Sequence, residues 1–137
     1  MSIKAAVRSL LLADAGVAAL IGTKVHLGDR VPTATPMPYV AVVVTGDGPV
    51  LSLGGPTKYC LSDWMMHCVA KTNTEAVAIA TAVRAAILHK KITAANGYRL
   101  QGATEPESSD ETEQPADGAS VGFAIVTLRI SIPYLVP

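Results

Sequence analysis

The residues best suited to chemistry in this chain are its carboxylates, and six of them crowd into one stretch. "TEPESSDETEQPADGAS" (Thr104–Ser120) holds Glu105, Glu107, Asp110, Glu111, Glu113 and Asp117 with no Lys or Arg, out of eleven acidic residues in the whole sequence. Three uses fit such a run. A divalent-metal or acid–base site needs carboxylates held rigidly at converging geometry. Here they are interleaved with Ser, Thr, Pro and Gly, and the D-x-D-x-D-G spacing of a calcium loop is absent. A solvated loop joining two strands needs only polarity. A charged surface aimed at a partner needs the rest of the chain to present it. The expectation is an acidic loop over 104–120, and the residues alone leave its purpose open among these readings.

The other chemical signals are weaker. "GDGPVLSLGG" (Gly46–Gly55) is glycine-rich, but it has no Lys-Ser/Thr ending and leads into a strand instead of the helix N-terminus that a phosphate loop requires. No G-x-S-x-G elbow is present. His26, His67 and His89 are scattered. The adjacent His67 and Cys68 point to opposite faces if both lie in a strand, so alternation prevents them from sharing a metal. Cys60 and Cys68 lie in one predicted strand, ~26 Å apart at ~3.3 Å per residue and beyond disulfide reach. They read as buried thiols of a reducing compartment. No catalytic residue, cofactor or metal is expected.

The elements that would position these residues follow from periodicity. "SIKAAVRSLLLADAGVAALIG" opens as a helix with Ile3, Val7, Leu10 and Leu11 at helical spacing, then a second short turn capped by Asp14 and ended by Gly22. "KVHL" reads as a short strand, and "RVPTATPMP", with three prolines, as an extended exposed segment. "YVAVVVTG" (Tyr39–Gly46) predicts a strand covered on both faces. Its Gly/Pro-rich continuation predicts a connector or projecting hairpin tip. "TKYCLSDWMMHCVAK" (Thr57–Lys71) predicts a long strand whose Trp64, Met66, Cys68 and Ala70 share a core face. "TNTEAVAIATAVRAAILHKK" is the clearest helix, with a Thr72/Glu75 capping box and an Ile79, Val83, Ile87 stripe. Lys90 and Lys91 are expected to complement its C-terminal dipole. "YRLQGATE" and "VGFAIVTLRISIPYLV" read as strands. Helix, strands, helix, strands without βαβ alternation gives α+β: one domain, a mainly antiparallel sheet with two principal helices packed on it.

Length and composition bound the function. At 137 residues the chain suits one domain with a sizeable core. Its mean hydropathy is +0.37, yet the apolar stretch Ile3–Ile21 carries Lys4, Arg8 and Asp14, and Val40–Val44 is too short to span a bilayer. The N-terminus lacks a signal-peptide cleavage pattern. A soluble, cytosol-made protein with no membrane partner is expected. Zero formal net charge with scattered Lys and Arg argues against a general nucleic-acid binder.

Several segments, in order, resemble the tail-terminator (tail-completion) proteins of long-tailed bacteriophages and related gene-transfer particles. They are "AAVRSLLLADAGVAALIGTKV", "PMPYVAVVV", "GGPTKY", "CVAKTNTEAVAIATAVRAAIL", and an acidic polar loop before "GFAIVTLRISIPY". The resemblance covers nearly the whole chain through order and spacing. It implies a non-enzymatic virion protein made in the host bacterial cytoplasm: a six-membered ring on the head-proximal end of the tail tube. Such a ring stops tube polymerisation and joins the head connector, and DNA passes transiently through its lumen. A connector or stopper ring protein of the adjoining layer is the alternative. On this reading Glu107, Asp110, Glu111, Glu113 and Asp117 face the lumen or the rim. Arg30, Val31, Pro32 and Pro36, with Asp47, Val50, Leu51 and Leu53, touch neighbouring copies or the tube.

Overall fold

The apolar spacing of the first segment becomes two short helices. The computed structural model describes residues 3–27, 38–52, 55–94, 96–113 and 123–137. Helix α1 (Ile3–Ala13) buries Ile3, Ala6, Val7 and Leu11 on one stripe. Asp14 caps α2 (Ala15–Ile21), its carboxylate accepting from the Val17 N–H at 3.0 Å. Gly22 ends α2 at φ +63°, a left-handed conformation that glycine adopts without Cβ strain. Helix α3 (Asn73–Ile87) starts at Thr72, whose hydroxyl accepts from the Glu75 N–H at 3.2 Å. It buries Ile79, Val83 and Ile87, with Ala76, Ala80 and Ala86 allowing close approach to the sheet.

Seven strands form one sheet. They are β1 (Val25–Leu27), β2 (Tyr39–Ser52), β3 (Gly55–Ala70), β4 (Lys91–Thr93), β5 (Arg99–Gln101), β6 (Thr104–Glu113) and β7 (Phe123–Leu135). The order is β1-β2-β3-β7-β5-β4, with β6 also pairing to β7. Only β1 against β2 is parallel. The architecture is the expected α+β: among the described residues α1 and α3 are the principal helices, and the short α2 stands where a turn capped by Asp14 was expected.

The helix-covered face carries Val40 and Val42 of β2, Trp64, Met66, Cys68 and Ala70 of β3, and Val126, Leu128, Ile130 and Ile132 of β7, all buried. Each large side chain buried there contributes roughly 1.5–3 kcal/mol relative to exposure. Polar atoms in this layer find partners within it. The Trp64 indole N–H donates to the Ser62 hydroxyl (2.7 Å), which donates to the Ile132 carbonyl (2.8 Å). Both cysteines are buried and unbridged. Burial, the dominant cause, pushes the Cys68 thiol up to about 12.

The opposite face has no helix over it among the described residues, so β2 is not covered on both sides as expected. Val43, which points to that face, is only half-buried. Ala41 is buried because His26 pairs with it and meets Tyr39 edge-on, ring centroids 5.9 Å apart.

Two further differences concern boundaries. "YRLQGATE" splits at Gly102 (φ +99°) into β5 and the start of β6. Lys91 opens the three-residue β4 instead of closing a helix, and the basic residue in the last turn of α3 is Arg84.

Candidate functional site

The acidic stretch is not a loop through most of its length. Thr104–Glu113 is strand β6, paired antiparallel to β7 from Thr104↔Ser131 to Glu113↔Phe123. Glu, Asp and Pro are poor strand formers in isolation. Tertiary context decides here: β7 offers a row of backbone donors and acceptors that β6 can satisfy along its length.

A register shift between Thr104 and Glu107 adds one residue to β6. At this bulge Glu105 reaches α3 and pairs with Arg84 through two charge-assisted bonds, Nε to Oε2 at 2.6 Å and Nη2 to Oε1 at 2.9 Å. One of the six carboxylates therefore ties strand to helix.

The remaining positions do not share one face. Glu107 stands opposite Arg129, Glu111 opposite Ile125 and Glu113 opposite Phe123. Asp110 stands opposite Val126, a buried residue of the helix-covered face. Asp117 lies outside the described residues. No group of three or more His, Cys, Asp or Glu residues suited to holding a metal occurs among the described residues.

The connector Asp47–Pro56 is built into a long hairpin. The β2–β3 pairing runs from Tyr39↔Val69 to Ser52↔Gly55, with shifts after Val44 and after Pro49. Strand β7 stops pairing with β3 at Tyr59↔Leu135, so the hairpin's far end projects past its neighbour. Leu51 lies on that end, opposite Pro56, and Val50 precedes it. Asp47 is engaged within the chain, accepting a 2.6 Å hydrogen bond from the Tyr134 hydroxyl. Burial first and this carboxylate second hold the Tyr134 phenol well above its ordinary range. Nearby, the Ser131 hydroxyl donates to Asp63 at 2.7 Å. Leu53, Arg30, Val31, Pro32 and Pro36 lie outside the described residues.

Sequence reading missed two features. The first is the Arg84–Glu105 pair, separated by 21 residues and two strands, which no local period signals. The second is an apolar groove of about 410 Å³ between α2 and α3, lined by Ala19, Leu20, Pro38, Ala78 and Ile79 among others. The alanines of "VAAL" and "VAIA" are its only sequence trace.

Known proteins share this arrangement. The family described as tail completion protein gp17 matches residues 5–130. A chain of the solved virion of a native gene transfer agent particle is similar in fold. Its TM-score is 0.71 over 98% of this chain and 96% of that chain, at 23% identity. None of the curated proteins matches the sequence.

Proposed function

The chain belongs to the tail completion protein gp17 family, and from that premise we propose that it forms a six-membered ring at the head-proximal end of a tail tube. As a tail-completion protein it is a structural, virion-associated part. In the proposed assembly the ring ends tube polymerisation, sits on the tail tube protein, and offers the joint to the head connector or stopper protein. DNA passes through its lumen. This role requires no reaction, cofactor or membrane.

The observation that carries the reading is the extent of the family match. Residues 5–130 take in nearly all of α1, both other helices, the whole hairpin, the acidic strand and most of β7. Around that frame, the arm Arg30–Pro36 and the β2–β3 hairpin, with Asp47 along it and Val50, Leu51 and Leu53 towards its end, are the proposed contacts with neighbouring copies or the tube. The run Glu107, Asp110, Glu111, Glu113 and Asp117 is proposed to border the lumen. A wall there without Lys or Arg adds no counterion-release affinity for passing phosphates, and its charge repels them.

The test is a density map of the intact particle. Six copies in a ring at the upper end of the tail are expected. One copy there, or none, overturns the proposal.

A further inference from the structure

Two apolar surfaces of this chain are left uncovered, one concave and one raised. The concave one is the groove between α2 and α3, lined by Leu20, which is 41% exposed, by Ala78 and by the buried Ile79. Glu75, exposed in the first turn of α3, lines it too and makes no ion pair among the described residues, not even with Lys71 four residues before it. At about 410 Å³ the groove is at the small end of the ~300–1,000 Å³ range of enclosing pockets, room for a few side chains and not for another helix.

The raised one lies on the sheet face that no helix covers among the described residues. Leu61 of β3 points there, since Cys60 and Ser62 on either side of it are buried on the helix side. It is 46% exposed, more than any other large apolar side chain among the described residues. The reason is its neighbour on β2, Gly48, which has no side chain to lay over it. Tyr59, next along on the same face, is 39% exposed. Tyr59 pairs with Leu135, Leu135 with Arg99, and Lys91 stands on the next strand opposite Gln101. Leu100 is buried against the helix side, so alternation sends Arg99 and Lys91 to the open face. Both are exposed, and neither makes an ion pair among the described residues. Asp63, two residues beyond Leu61, already accepts from the Ser131 hydroxyl.

We infer that the Leu61–Tyr59 ridge of one copy seats in the α2/α3 groove of a second copy of this chain, with Arg99 and Lys91 beside Glu75. The inference rests on the ring reading and says which surfaces meet. Apolar meets apolar, raised meets hollow, and the uncompensated charges at the two surfaces have opposite signs. The other described carboxylates are engaged within the chain: Asp14 caps α2, Asp47 accepts from Tyr134, Asp63 from Ser131 and Glu105 from Arg84. Glu75 is the one left to receive a cation among the described residues.

The two surfaces cannot meet within one copy. Pro38 and Thr74 line the groove, which puts it at the end of the sheet where Tyr39 pairs with Val69. Leu61 lies on the other face, eight positions along β3 from Val69, which is ~26 Å at ~3.3 Å per residue. A contact between unlike surfaces is heterologous and closes into a ring where the rotation fits. Burial of Leu61 and Tyr59 supplies the affinity. Exposed ion pairs are individually weak, so the charges set partner and direction.

The test uses full-length chain assembled on tails, carrying Leu61→Cys together with Thr74→Cys, both at exposed positions. The native Cys60 and Cys68 are buried. The tails are treated with a bismaleimide too short to bridge the two sites within one copy. The expected product is a ladder of linked copies rising to the ring number, absent from either single variant. Amine cross-linking of the unmodified protein reports the ring independently. An amine ladder without a cysteine ladder overturns this contact and leaves the ring standing. No ladder by either route overturns both. A cysteine link to a different tail protein overturns the choice of partner.

Charge exchange gives a second readout. Arg99→Glu is expected to lower incorporation into tails roughly tenfold, and Glu75→Arg in the same chain is expected to restore it. A folded double variant that is not restored overturns the inference. Normal incorporation of Arg99→Glu alone overturns it as well, and slowed DNA delivery in that variant would assign the cations to DNA.

Discussion

Glu105 and Glu111 look alike in sequence, both carboxylates of the same acidic run, yet the structure predicts different consequences for losing them. Glu105 makes two charge-assisted bonds to Arg84, with side chains 13% and 32% exposed respectively. Fully exposed pairs are worth about 0.2–1 kcal/mol, and breaking a fully buried one costs about 3–5 kcal/mol. A mostly buried carboxylate with a partly exposed guanidinium falls between, so Glu105→Ala should cost about 2 kcal/mol. For a chain of this size that is a fall in Tm of about 8 °C, at roughly 4 °C per kcal/mol. Glu111→Ala, opposite the apolar Ile125 of β7, is expected to stay within about 0.5 kcal/mol.

Arg84→Met keeps the apolar stem and completes a double-mutant cycle, whose coupling with Glu105→Ala should be about 1–2 kcal/mol. Urea unfolding of the isolated chain, analysed by linear extrapolation, measures all of these. Equal midpoints for Glu105→Ala and Glu111→Ala would refute the reasoning. So would a coupling under about 0.5 kcal/mol, because the tie between β6 and α3 would then be a surface pair of no consequence.

Three further outcomes are expected. Val83→Asp places a charge at a fully buried position on α3 and should cost several kcal/mol; a soluble variant with a normal melting curve would show the helix face to be wrong. Ser62→Ala removes the acceptor of the Trp64 indole N–H in a buried layer. It should cost about 1–3 kcal/mol by tryptophan-monitored unfolding, and a loss under about 0.5 kcal/mol would point to another acceptor. Cys68 is raised from its ordinary 9.0 to about 12, so the folded state holds the proton that the unfolded chain releases. Its contribution is fully present below pH 9 and is lost as pH rises from about 9 towards 12, at up to about 1.4 kcal/mol per pH unit. Cys68→Ala should flatten that slope, and an unchanged slope would assign the alkaline loss to other groups.

What could be read from sequence, and what could not, follows from the range of the interactions. Asp14, Gly22 and Thr72 act within a turn of their own helices, and the parity of Trp64, Met66 and Cys68 is a property of one strand. Such features are legible because their cause lies within a few residues. Strand β6 is the opposite case. Its composition argues for solvent, and only the presence of β7, ten or more residues later in the chain, makes it a strand. β4 was hidden for the same reason: Ile92 acquires strand geometry by pairing with Leu100. The candidate site inherits this division. That the carboxylates cluster is visible in the letters, but the role of each is set by what stands opposite.

That dependence bears on what the acidic strand is for. Had 104–120 been a loop throughout, its charges would sample many directions, and repulsion among them would be relieved by motion. Pairing with β7 fixes the backbone of Asp110, Glu111 and Glu113 at set register positions, opposite Val126, Ile125 and Phe123. Net charge for the chain is zero, and the two signs are not parted by edge. Arg84 holds Glu105, Arg129 stands opposite Glu107, and Lys91 of β4 and Arg99 of β5 lie on the same side of β7 as the acidic strand. What the strand's charge does to a neighbour or a passing phosphate therefore depends on these nearby cations as much as on the carboxylates themselves, because each pair screens the field the run would otherwise cast.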